Sequence, residues 1–168
     1  MRLYLVRHAI AAEADAKQWP DDRQRPLTTA GARRFKKTSK ALVDLIESGG
    51  TVDRLITSPL VRARATATIL HAAGLPEPID ESVLAPGRTA ARVLAVLRAH
   101  DASSIVMVGH EPDLSRLLAV CIAGPEAKLS LHFRKGGAAC LSFSGAPRVG
   151  EATLEWLLPP KALRALQD

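Results

Sequence analysis

The sequence predicts an α/β protein: a three-layer α/β/α sandwich with a mostly parallel central sheet and an antiparallel edge supplied by its C-terminal third. Three observations lead there. Short apolar, strand-favouring runs ("LYLV" at 3–6, "RLIT" at 54–57 and "SIVMV" at 104–108) alternate with longer stretches of helical periodicity. The last third changes to Gly- and Pro-separated segments with β-forming residues, as antiparallel strands do. The length of 168 residues, 47% of them hydrophobic, suits one core and one domain over residues 1–168.

Taken in order, the first strand covers Leu3 to Val6 and stops on Arg7 and His8. Thr28 or Thr29 caps a helix running to about Ser48, with Phe35, Leu42, Leu45 and Ile46 on one face and Gly49-Gly50 as its stop. Arg54 to Thr57 is a short strand. Ser58 as N-cap and Pro59 as first helical residue open a helix to about Ala73. Pro76 and Pro78 punctuate a connection, "LPEPIDESVLAPG", before a helix over about Arg88 to His100. The strand Ser104 to Val108 leads to another proline-marked helix start at Glu111-Pro112-Asp113, with Leu114, Leu117, Leu118 and Ile122 as its buried stripe. The segments "AKLSLHF", "GGAACLSFSG" and "ATLEWLL" read as the antiparallel strands. There is no internal repeat, linker or low-complexity stretch.

A net charge of +6 and a pI near 9.8 suit either nucleic acid or an anionic substrate. Aromatic residues make up only 4% of the chain, which leaves few stacking platforms, and no nucleic-acid motif occurs. Arg33, Arg34, Lys36, Lys37 and Lys40 concentrate the surplus on one helix, where a solvated face accounts for them. No run is long or apolar enough for a membrane span, and Arg7, His8 and Glu13 interrupt any signal-peptide core. Cys121 and Cys140 have neither metal-ligand spacing nor the number for a disulfide framework, so a cytoplasmic protein with reduced thiols is expected.

Ligands of open α/β sheets bind beyond the carboxyl ends of the strands. Here those ends carry related chemistry three times over. Arg7 and His8 follow the first strand, "SPLVRARATA" with Arg62 follows the second, and Gly109-His110 follows the third. Arginines pair with phosphate oxygens and helix N-termini favour anions, so an anion pocket is expected at this edge. No P-loop, dense carboxylate cluster or His/Cys zinc spacing is present, so no metal or cofactor is expected. A phosphoryl site of this kind relies on fixed cations and a nucleophile of its own, and histidine can be that nucleophile.

"LVRHA", "SPLVRARATA" and "VGHEP", in that order, resemble the histidine phosphatase superfamily, also called phosphoglycerate-mutase-like. "DDRQRPLTTAG", the short length and the absence of a large insertion are most similar to its SixA-type protein-phosphohistidine phosphatases. The likeness extends to "KGGAACLSF" and "LEWLLPP". It implies that His8 is the nucleophile and becomes phosphorylated, while Arg7, Arg62 and His110 clamp the phosphate. Asp22 and Arg25 match the subgroup's D-x-x-R-P-L-T stretch, either as substrate-binding residues at the pocket rim or as a loop salt bridge. Ser58 also lies in a matching motif, although helix capping gives it a sufficient role.

Two departures stand out. Ala9 replaces the glycine of the commoner Arg-His-Gly triplet. The acid that protonates the leaving oxygen in the mutases and phosphomonoesterases has no clear match; Glu81 or Asp80 in "IDESVL" lies in the right region. An imidazole leaves with less charge than an alkoxide, so the missing acid favours phosphohistidine. The resemblance thus implies a metal-independent phosphatase acting on a phosphohistidine-bearing signalling or phosphotransfer protein. A small-molecule phosphomonoesterase of the same superfamily is the first alternative, and a non-catalytic basic module for phosphoproteins or nucleic acid is the second. His71, His100 and His132 have no partnered motif, and Trp19 and Trp156 read as packing anchors.

Overall fold

A computed structural model describes residues 1–126 and 128–166. Strands β1 (Arg2–Arg7), β2 (Arg54–Thr57), β3 (Pro78–Asp80), β4 (Ser104–Gly109), β5 (Ala138–Ser142) and β6 (Thr153–Leu158) form one six-stranded sheet ordered β3-β2-β4-β1-β5-β6. β3, β2, β4 and β1 are mutually parallel neighbours, and β5 and β6 add an antiparallel edge beside β1. The helices are α1 (Thr29–Glu47), α2 (Val61–Ala72), α3 (Ala90–Ala99), α4 (Asp113–Ala123) and α5 (Pro160–Ala165).

The alternation of side chains along a strand divides the core into the two faces of a sandwich. Leu3, Leu5, Ile105 and Met107 pack with Leu94 and Leu97 of α3 and Leu114, Leu117 and Leu118 of α4. Tyr4, Val6, Val106 and Val108 pack on the opposite side with Phe35, Leu42 and Ile46 of α1, Leu70 of α2 and Leu163 of α5. β1 and β4 are covered on both faces, which is why they read as unbroken apolar runs. Trp156 does pack, with its ring centroid 6.1 Å from that of Tyr4.

Three local expectations need correction. Ser58 does not cap α2: the cap is Leu60, helix begins at Val61, and toward that helix start Ser58 Oγ accepts a 3.4 Å bond from the Leu60 N–H. "PID" is not merely connection but a three-residue edge strand, too short to carry a periodic signal. Of "AKLSLHF", residues 128–133 form no strand; the segment runs irregularly between α4 and β5 and seats Phe133 in the core, and Ala127 lies outside the described residues. Beyond the expected elements, Pro159-Pro160 opens α5, since proline suits a first helical turn.

β1, β4 and β2 lie side by side and end level with one another. Arg7 pairs with Gly109, and Thr57 with Val108. The next residue of each strand continues the contact: the His8 N–H donates to the Gly109 carbonyl at 3.1 Å and the Ser58 N–H to the Val108 carbonyl at 3.0 Å. Register alone therefore brings His8, Ser58 and His110 together.

Candidate active site

Beyond those strand ends lies a cavity of about 540 Å³ lined by Arg7, His8, Arg62 and His110, together with Asp22 and Arg25. The His8 and His110 rings are 5.1 Å apart and inclined at 53°. Both are almost fully buried, as is Arg62 at 4% exposure.

His8 is held in one tautomer. Its Nδ1 lies 2.7 Å from the Ala9 carbonyl oxygen, which can only accept. Nδ1 therefore carries the hydrogen, and Nε2 keeps its lone pair. The turn beneath it is pinned by a bond from the Ala9 N–H to Thr66 Oγ1 of α2 (3.0 Å). It is also pinned by Gly136, whose N–H reaches the Arg7 carbonyl at 3.0 Å and the His8 carbonyl at 3.1 Å. Gly136 sits at φ +74°, a region that a residue with a Cβ enters only with strain.

Burial pushes the His8 pKa down to about 4; the Ala9 carbonyl opposes this, and the charges of Arg62, Arg7 and Lys135 reinforce it. Burial likewise lowers His110 to about 3, helped by His8 and Arg62. Both rings are neutral at neutral pH, which a nucleophile requires. Folding in acid should suffer accordingly. Between the unfolded histidine value of 6.5 and the folded values of about 4 and 3, the unfolded chain binds more protons. Stability should therefore be full above pH 6.5 and fall steadily as the pH drops toward 4. Melting temperatures of the wild type and of His110→Asn across that range test this, with a shallower fall expected in the variant.

Arg62 stands in the first turn of α2. Its Nη1 donates to the Asp22 carbonyl at 2.8 Å and its Nη2 to Asp22 Oδ2 at 2.9 Å. Asp22 also accepts from Arg25 Nε at 2.7 Å, and Arg25 Nη1 reaches the Ala12 carbonyl at 2.7 Å. Asp22 thus ties the loop after β1 to both arginines. Burial raises its carboxyl pKa, but the Arg25 hydrogen bond and the Arg62 charge prevail and hold it below the ordinary value. The pair forms the loop salt bridge that was one of its two expected roles, and both residues also line the cavity.

Arg7 Nη1 donates to the Phe133 carbonyl at 2.7 Å, which is what the irregular 128–133 segment supplies to the site. His110 Nε2 and Ser58 Oγ are hydrogen-bonded at 2.8 Å, so Ser58 orients a ring instead of capping a helix. Arg7 Nε, Arg62 Nε and His110 Nδ1 are buried and unpartnered among the described residues. Buried polar atoms are ordinarily satisfied, so three such atoms around one cavity mark it as a place built to receive a polar ligand.

Glu81 and Asp80 are not brought to the cavity. Glu81 Oε1 is 2.9 Å from His100 Nε2, and Asp80 Oδ1 accepts from Arg64 Nη1 at 2.6 Å. The carboxylates that do line it are Glu13 and Glu111, besides Asp22. Lys135 lines it as well and was missed in the sequence; the "KGG" turn that folds against the end of β1 is its only signal. His71 is exposed, its Nδ1 2.8 Å from the Leu75 carbonyl, and His132 lies outside the cavity.

Comparison with known proteins gives this arrangement a family. The model of the histidine phosphatase superfamily (branch 1) matches residues 3–85. An uncharacterized protein of Picosynechococcus sp. is 39% identical over 172 residues, spanning 95% of this chain and 100% of that one. The protein histidine phosphatase SixA complexed with tungstate superposes with a TM-score of 0.80 at 24% identity, covering 97% of this chain and 99% of the other. A protein assigned as the phosphohistidine phosphatase SixA of Agrobacterium tumefaciens gives 0.74 at 25% identity, over 95% and 97% of the two chains. The alpha-ribazole phosphatase of Shigella flexneri shares the fold, with a TM-score of 0.70 at 19% identity over 95% and 97%. The family model and the shared architecture agree: the chain belongs to the histidine phosphatase superfamily, is a phosphatase, and is similar to the SixA structures.

Proposed function

We propose that this phosphatase hydrolyses phosphohistidine on a protein, through a phosphorylated His8 and without a metal. The observation that carries the reading is the His8 Nδ1 contact with the Ala9 carbonyl, which leaves Nε2 as a neutral lone-pair donor in the cavity lined by the half-buried Arg7 and the buried Arg62. In the first step the Nε2 lone pair attacks phosphorus in line. An N–P bond forms to His8 while the N–P bond to the substrate imidazole breaks, and that ring departs with the bonding pair. If its distal nitrogen already carries a proton, it leaves neutral and needs no acid. Arg7, Arg62 and His110 take the equatorial oxygens, where the charge of the two arginines and the hydrogen bonds of all three offset the transition state. Water then attacks the phosphoryl-His8 bond, its proton passing to a cavity carboxylate, and releases phosphate and neutral His8.

The SixA structures support the protein substrate, whereas the alpha-ribazole phosphatase supports a small molecule. The pairing of Glu81 with His100 favours the first, because it leaves an alkoxide without that acid. Glu81→Gln is expected to change kcat/KM by less than about twofold on phosphohistidine and on phosphate esters alike. A large loss confined to esters would favour the phosphomonoesterase. The deciding experiment offers histidine-phosphorylated protein and simple phosphate esters side by side, reading phosphate release and the trapped phosphoenzyme. Preference for the protein with a label on His8 is the expected result. The proposal places the enzyme in the cytoplasm as one domain over residues 1–168. Among the described residues no helix is long and apolar enough to cross a membrane.

A further inference from the structure

Next to the active-site cavity, and sharing Arg7 and Lys135 with it, runs a larger groove of about 790 Å³. Its walls are α1, the 132–137 loop and α5. Arg34, Arg134, Lys135, Lys161 and Arg164 line it, and no described lining residue is acidic. Arg34, Arg134, Lys135 and Lys161 are exposed, and among the described residues none of the four is in an ion pair. Between the cations the surface is apolar, formed by Ile10, Pro159 and Pro160. Arg34 therefore does more than belong to a solvated helix face, because it turns into a concave surface that leads to His8.

We propose that this groove binds an acidic, extended segment of the phosphorylated protein whose phosphohistidine enters the cavity. The inference rests on the protein-phosphohistidine reading and adds a recognition element to it. Unpaired like charges on three separate elements repel one another, and an anionic chain laid among them relieves that repulsion. The cations are strung along the groove with apolar surface between them, which suits carboxylates on a peptide better than one compact second anion. A nucleic-acid strand is disfavoured, since Phe35, the aromatic ring in the lining, is 3% exposed and offers no stacking face.

Three substrates test it: free phosphohistidine, a peptide with phosphohistidine flanked on both sides by glutamates, and the same peptide with glutamines. Wild type should favour the glutamate peptide over the glutamine peptide by about tenfold in kcat/KM, mostly through KM, and high salt should erase the preference. Arg34→Glu/Lys161→Glu, neither residue lining the active-site cavity, should abolish the preference while changing hydrolysis of free phosphohistidine by less than about twofold. Equal use of both peptides by the wild type, or a preference that survives in the double variant, would overturn the groove assignment and leave the protein-phosphohistidine reading standing. A DNA oligonucleotide that inhibits more strongly than an unphosphorylated glutamate peptide would also overturn it. Hydrolysis of simple phosphate esters but of none of the three substrates would instead defeat the parent reading, and this proposal with it.

Discussion

His8→Asn is expected to lower kcat by about four orders of magnitude or more and to leave no labelled protein after exposure to a radiolabelled phosphohistidine substrate. Asparagine is the informative replacement. Its side-chain amide can still donate toward the Ala9 carbonyl, as His8 Nδ1 does at 2.7 Å, while the attacking nitrogen is gone. Wild-type label should be acid-labile and alkali-stable, as an N–P bond is, and it should map to residue 8. Turnover of the variant within tenfold of wild type, or label retained on it, would remove His8 from the nucleophile's role. Because the native ring is neutral and buried, the substitution also removes a group that resists folding in acid, so loss of activity through unfolding is not expected. A melting curve at neutral pH separates the two causes.

The central elements were legible in the sequence because they are chemically extreme. β1 and β4 are covered on both faces and so had to be written as apolar runs, and the polar residues that end them had to emerge at one edge. Thr28 caps α1 through the Gly31 N–H at 2.9 Å, as the hydroxyl and its position suggested. What was hidden depended on partners distant in the chain. Ser58 followed by proline has every local mark of a cap, yet its hydroxyl is used by His110, which lies 52 residues away. Glu81 sits in an acidic stretch in the right region, and only the placement of His100 shows it to be engaged elsewhere. Lys135 and the basic groove needed the 132–137 loop to fold against the end of β1, a contact made by the Gly136 backbone with no side-chain pattern to announce it.

Arg62→Ala should cost about two to three orders of magnitude in kcat/KM and weaken competitive inhibition by inorganic phosphate, because it deletes a fixed donor from the place where charge develops. Arg62→Lys should recover only a small part of that loss. Lysine keeps the charge but cannot reproduce a guanidinium that donates through Nη1 and Nη2 to Asp22 and still has a buried, unpartnered Nε. The loss should not come from misfolding: Asp22, the partner left behind, has a side chain 56% exposed and retains Arg25 at 2.7 Å, so little buried charge is stranded. Asp22→Asn tests the connection from the other side. It frees Arg62 from a competing carboxylate but loosens the loop that Asp22 anchors. If Arg62 meets the phosphoryl group directly, Asp22→Asn should lose far less activity than Arg62→Ala. If Arg62 served only to hold the loop, the two variants would fall together, and wild-type phosphate affinity in Arg62→Ala would strip it of its place in the clamp.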